Sequence, residues 1–196
     1  MVNFSLKDCL VVLGATAAIV LAPLPARAMT VEGITFAPQA RIGAADVPLR
    51  NAALLRYLYF LKAYVAALYL PAEVTPQQAL SDVPKRLEIS YLVAIRGEDF
   101  DKGAAPVLRR NLSTVELARL EERLARLNAA YRDVKPGDRY ALSYDPARGT
   151  ELSLNGTPLV TIEGADFAAA YFGVWLGREP IDADLKKALL KGRDAR

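Results

Sequence analysis

The stretch LLRYLYFLKAYVAALYLP, residues 54–71, decides how this chain is to be read. Its density of Leu, Tyr, Val and Ala marks a core-bound β segment, and Pro71 closes it because proline cannot donate to a sheet ladder. Yet Arg56, Lys62 and Tyr64 stand in its interior. A charge in such a segment is turned to solvent, paired with an acid, or held ready for a ligand. The rest of the sequence sets the frame for that choice.

The first 28 residues read as a secretory leader. Lys7 opens it, an apolar run from Cys9 to Leu24 follows, and Ala26-Arg27-Ala28 offers small residues at a cleavage site. Cleavage after Ala28 would make Met29 the first residue of a periplasmic or secreted protein. A retained anchor is the alternative, because Asp8 offsets Lys7, but the run is short for a spanning helix. Leu6-Lys7-Asp8 lacks the small residues that precede a lipidated cysteine. Residues 29–196 are then expected to form one domain with its own core and no stable membrane span.

Composition removes whole classes of chemistry. The chain has 25 Lys and Arg against 22 Asp and Glu, no histidine, and a single cysteine, Cys9, inside the leader. The mature domain therefore has no disulfide, no thiolate nucleophile, no Cys/His metal site and no histidine-based triad. Its interspersed charges do not form the basic stripe of a nucleic-acid binder. No glycine-rich phosphate loop is present, so neither cofactor nor metal is expected.

The order of elements follows from periodicity. GITFAPQARIG (33–43) and VPLRNAALL (47–55) read as opening strands, and the apolar run 56–70 follows. In KRLEISYLVAI, 85–95, Leu87, Ile89, Tyr91 and Val93 alternate as in a half-buried strand. A short helix over 98–110 is disturbed by Pro106. Ser113 to Glu116 is a capping box for a second, whose apolar stripe is Leu117, Leu120, Leu124, Leu127 and Tyr131. Glu122 and Arg126 there read as a solvated i,i+4 pair. DRYALSYD, TELSLNG and PLVTIEG form a meander, with Pro146–Gly149 and Asn155-Gly156 as its turns. ADFAAAYFGVWLG, 165–177, lacks a polar face and must be a buried helix, and Asp182 caps a last one. Strands in runs and helices in runs predict an α+β fold, a largely antiparallel sheet with helices on one face.

KAYVAALYLP, PKRLEISYLV, LARLNAAYRDVKPGDRYALSY, LSLNG, TIEGADFAAAYFGVWLG and PIDADLKKALL together resemble the bacterial, exported branch of the chalcone isomerase-like proteins. The resemblance covers nearly all of residues 29–196. It implies an open-faced β-sandwich with a ligand cleft between sheet and helices. It also implies a choice of functions, because plant members cyclise chalcones as intramolecular lyases while plastid relatives bind fatty acids without known chemistry.

Carried onto this chain, the enzymes' oxyanion-stabilising Arg matches Arg56 across a gap. Tyr64 falls at their Thr, Phe100 at their Tyr, Val107 near their Asn and Val174 at their Ser/Thr; Asn111 lies four residues past the Asn position. Phe100, Val107 and Val174 lack the donors that the isomerase uses. Arg56 with Tyr64 resembles the pair of the fatty-acid binders, so the resemblance implies a non-catalytic binder of a small apolar carboxylate. Arg56 would grip the headgroup bidentately and Tyr64 add a donor. Leu58, Phe60, Leu68, Phe100, Phe172 and Trp175 would line the acyl cleft, with Asn111 in reserve. One straight strand would hold Arg56 and Tyr64 roughly 26 Å apart, so a shared headgroup requires the chain to fold back between them.

Other readings stay open. In an isomerase, Arg56 would steady an oxyanion while Tyr64 assists the carbonyl. As structural residues, Arg56 would reach water or an acidic neighbour, Tyr64 and Trp175 would be core aromatics, and Lys62 would be solvated. An exported envelope interaction module without a ligand is the third class, favoured by a collapsed cleft.

Overall fold

A computed structural model describes residues 28–57 and 61–192. The leader reading, Leu58 and Phe60 fall outside the described residues. Among those described, β1 (Met29–Val31) and β2 (Ile34–Phe36) form a separate two-stranded hairpin. A seven-stranded sheet follows, ordered as in the sequence: β3 (Gln39–Ile42), β4 (Ala45–Tyr57), β5 (Leu61–Tyr69), β6 (Lys85–Tyr91), β7 (Arg139–Asp145), β8 (Gly149–Leu154) and β9 (Thr157–Ile162). Every neighbouring pair is antiparallel. The expected 33–43 strand is thus two strands belonging to different sheets, and Tyr91 ends β6 short of Ile95, which keeps only an isolated bridge to Val134.

Four helices cover one face: α1 (Asp99–Asn111), α2 (Thr114–Ala130), α3 (Ala165–Leu176) and α4 (Ala183–Leu190). The capping box of α2 forms in both directions. The Ser113 amide donates to Glu116 Oε2 at 2.8 Å, and the Glu116 amide donates to Ser113 Oγ at 3.3 Å. Leu120 and Leu127 bury the stripe. Arg126 does not pair within its helix as the spacing suggests; it reaches Glu163 at 3.8 Å, beyond the end of β9. Asp182 caps α4, accepting from the Leu185 amide at 2.6 Å. Asn155 and Gly156 take φ of 50° and 83°, the left-handed pair a two-residue hairpin needs. None of the described helices is long and apolar enough to cross a membrane.

The opening stretch is explained by what lies on each side of β5. Tyr64, Ala66 and Leu68 join the main core beneath the helices, while Val65, Ala67 and Tyr69 pack with Phe36, Val47 and Leu49 on the opposite face, below the β1–β2 hairpin. A strand buried on both faces has no polar alternation to show. Arg56 belongs to the end of β4, not to the strand that carries Tyr64.

Candidate functional site

The β4–β5 register fixes where the charges go. Leu55 pairs with Tyr64, but the next pair is Arg56 with Lys62, so Ala63 is an extra residue in β5. Such a bulge re-aims the side chains beyond it. Without it Lys62 would share the parity of Tyr64 and face the helices. With it, Lys62 and Arg56 stand together beside Glu32, at the β1–β2 turn, at 2.5 Å and 3.9 Å respectively. The chain does fold back between Arg56 and Tyr64, yet it leaves them on opposite faces of the sheet. Lys62 is exposed to solvent, as read, and is also ion-paired with Glu32.

On the helix side a cavity of about 140 Å³ lies between β5–β8 and the helices α1 and α3. Period-two alternation sends Leu87, Ile89 and Tyr91 of β6 and Tyr140 and Leu142 of β7 to the same face, and Phe100, Ala104, Tyr171 and Trp175 close it from the helices. Tyr64 and Tyr91 are direct cross-strand partners with ring centroids 5.8 Å apart. Phe100 stacks on Tyr131 at 4.4 Å, and both meet Tyr140 edge to face. The partly exposed residues Asp99, Gly103 and Ile181 mark the opening.

The hydroxyls in this aromatic box are unequally used. Tyr140 accepts from the Arg132 amide at 2.7 Å and donates to the Arg132 carbonyl at 3.1 Å, which completes its role. Tyr131 and Tyr171 bond each other at 2.8 Å. Trp175 Nε1 donates to the Tyr64 hydroxyl at 3.0 Å, so the Tyr64 proton remains to be given. The Tyr91 hydroxyl makes no hydrogen bond among the described residues. Burial raises the pKa of Tyr64, Tyr91, Tyr131 and Tyr171 well above that of a free phenol, and that of Tyr140 less far. These groups are neutral donors, not bases.

Asp99 is the charged residue in the lining, and it is committed. Lys102 Nζ donates to it at 2.6 Å and Arg96 Nε at 3.1 Å, and those bonds hold its carboxyl below the usual range. No group of three or more potential Asp, Glu, His or Cys metal ligands gathers among the described residues.

Of the residues singled out from the sequence, Tyr64, Phe100 and Trp175 meet in the cavity, and Val174 lines it as well. Arg56 lies across the sheet. Phe172 is fully buried but packs toward Lys85 instead of the cavity, its ring 5.7 Å from that ammonium. Asn111 is a clamp: its side chain donates to the carbonyls of Val107 and Glu179 and accepts from the Glu179 amide. Tyr91, Tyr131, Tyr140 and Tyr171 went unrecognised as site residues. Strand parity was the available signal for Tyr91, since it follows Leu87 and Ile89 at steps of two.

An antiparallel meander with a helical layer on one face and an aromatic cavity between them defines an α+β open-faced sandwich. A sequence model described as chalcone isomerase-like matches residues 28–191, and the chain belongs to that family. Among solved structures it is similar to a fatty-acid-binding protein of Arabidopsis thaliana, with a TM-score of 0.62 at 12% identity, over 84% of this chain and 96% of that one. At that identity the likeness concerns the fold. No curated protein sequence matches the chain significantly.

Proposed function

We propose that this protein is a non-catalytic binder of an apolar acid of the fatty-acid kind, held in the cavity between sheet and helices. The observation that carries the reading is the pairing of apolar and aromatic walls with an unspent donor, the Tyr64 hydroxyl braced by Trp175. That is the usual make-up of a pocket for a largely hydrophobic ligand with one polar end. The solved relative named as a fatty-acid-binding protein supports the ligand class. An isomerase would need a cation to steady its oxyanion, and Arg56 is engaged with Glu32 across the sheet.

At about 140 Å³ the cavity is of the size that holds a benzene ring. A long chain must therefore run out past Asp99, Gly103 and Ile181 or part the helices from the sheet. Trp175 is the only tryptophan and lines the cavity, so its fluorescence reports occupancy directly. Titration with a series from hexanoic to palmitic acid is expected to shift Trp175 emission, and Tyr64→Phe to weaken binding. Absence of any response along the whole series would reject the proposal.

We also read residues 1–28 as a leader removed on export from a bacterial cytoplasm, which places the ligand outside that compartment. N-terminal sequencing of the exported protein should begin at Met29. Recovery of intact Met1 in a membrane fraction would overturn it.

A further inference from the structure

We infer that the cavity takes its ligand as a neutral hydrogen-bond acceptor, a protonated acid or a neutral carbonyl compound, received between the hydroxyls of Tyr64 and Tyr91. This rests on the binding role proposed above and specifies its chemistry. The two tyrosines face each other on β5 and β6. The Tyr64 oxygen is already accepting from Trp175, so its remaining capacity is donation. Tyr91 is 4% exposed and its hydroxyl has no hydrogen-bond partner among the described residues. The buried polar side-chain atoms sealed in without a partner, among the described residues, are Asn128 Oδ1 and Thr150 Oγ1. The Tyr91 hydroxyl is therefore not sealed; it meets free space, and the space its residue lines is the cavity.

The electrostatics decide the charge of the guest. No Lys or Arg lines the cavity among the described residues. The ionisable groups that line it, hold its lining or act on its tyrosines are Asp99 with its partners Arg96 and Lys102, Asp101 on α1, Arg132, Asp133 and Asp138 beyond α2, and Asp182 at the start of α4, with Lys186 one turn further on. Arg96 and Lys102 are bound to Asp99 and two-thirds exposed, and Lys186 donates to the Gly177 carbonyl. Beyond the lining, charges of both signs act weakly on the tyrosines: Asp182 at Tyr64, Asp101 at Tyr171, and at Tyr140 the Arg132 cation ahead of Asp133 and Asp138. A carboxylate entering would lose its water and find no cation among the lining residues, a cost that neutral O–H donors do not offset. A neutral C=O loses little and gains both donors.

The test uses the whole mature protein, hexanoic acid, and 2-heptanone as a neutral acceptor of similar size. With Trp175 emission as readout, the apparent affinity for hexanoic acid should fall about tenfold per pH unit above the ordinary carboxyl range, roughly a hundredfold between about pH 5.5 and 7.5. Affinity for 2-heptanone should stay level over the same range. Tyr91→Phe, which breaks no hydrogen bond of the fold, should weaken both ligands by roughly 2- to 12-fold while leaving the melting temperature unchanged. Hexanoic acid binding equally at both pH values would show an anion in the cavity and overturn the inference while leaving the binding role intact. Unaltered affinity in Tyr91→Phe would overturn the paired-donor site. Silence toward hexanoic, palmitic and heptanone probes at every pH would remove the binding role and the inference together.

Discussion

Lys85 shows how much one residue tolerates in this fold. It is fully buried, its ammonium donates to the Ser81 carbonyl at 2.6 Å and lies 4.7 Å from the Tyr144 ring, and burial pushes its pKa down to about 8. Its unfolded value is near 10.4, so between these limits the unfolded chain binds the extra proton. Stability should therefore rise with pH from about 8 to 10, by at most about 1.4 kcal/mol per unit. The cavity tyrosines act in the opposite sense. Their pKa values are raised on folding, so their contribution is complete below about pH 10 and is lost as pH climbs through the folded values. Denaturation across this range should give a rise followed by a fall, and Lys85→Met should flatten the rise alone. A flat parent profile between pH 8 and 10 would contradict the buried charge. Arg56 belongs to the same scale with the opposite weight. Its pair with Glu32 is half exposed, so Arg56→Ala should cost less than about 1 kcal/mol and leave Trp175 titrations unchanged; loss of ligand response would return Arg56 to the site.

At the scale of elements, local signals predicted what local chemistry governs. The box of Ser113 and Glu116 is a pattern of four residues, and it starts α2 where the sequence places it. Ser113→Ala should cost about 0.5–2 kcal/mol, or a few degrees in melting temperature, because the Glu116 amide loses its partner. An unchanged melting curve would mean water replaces the cap fully. Asn155-Gly156 was equally legible. What escaped the sequence was register. The bulge at Ala63 leaves no compositional mark, since alanine fits a regular strand as well, yet it decides that Lys62 joins Arg56 outside while Tyr64 stays inside. Counting residues along LLRYLYFLKAY could not give the face of each charge. Phe172 was misplaced for a related reason: α3 buries eight residues around nearly its whole circumference, so an apolar residue there does not reveal which neighbour it meets.

At the scale of the molecule, the fold class was legible because strands and helices come in separate runs, and the cavity was legible only in kind. A ligand between sheet and helices touches β5–β8 on one side and α1 and α3 on the other, so occupancy should tie the two layers together. At a hundred times its dissociation constant a ligand adds about 2.7 kcal/mol of stability, which for a domain of this size is roughly 5–11 °C in melting temperature. The same shift could arise from acid adsorbed to the surface, and the cavity itself supplies the means to separate the two. Ala104 is 6% exposed and lines the cavity wall from α1. Ala104→Leu places three further carbons into a space of about 140 Å³. Because those carbons enter a void and not a packed core, the variant should melt at or above the temperature of the parent. It should also lose the ligand-induced shift and the Trp175 response together. If Ala104→Leu folds with unaltered stability and keeps the full shift, the ligand binds elsewhere, and the cavity is a packing defect of the sandwich instead of its working site.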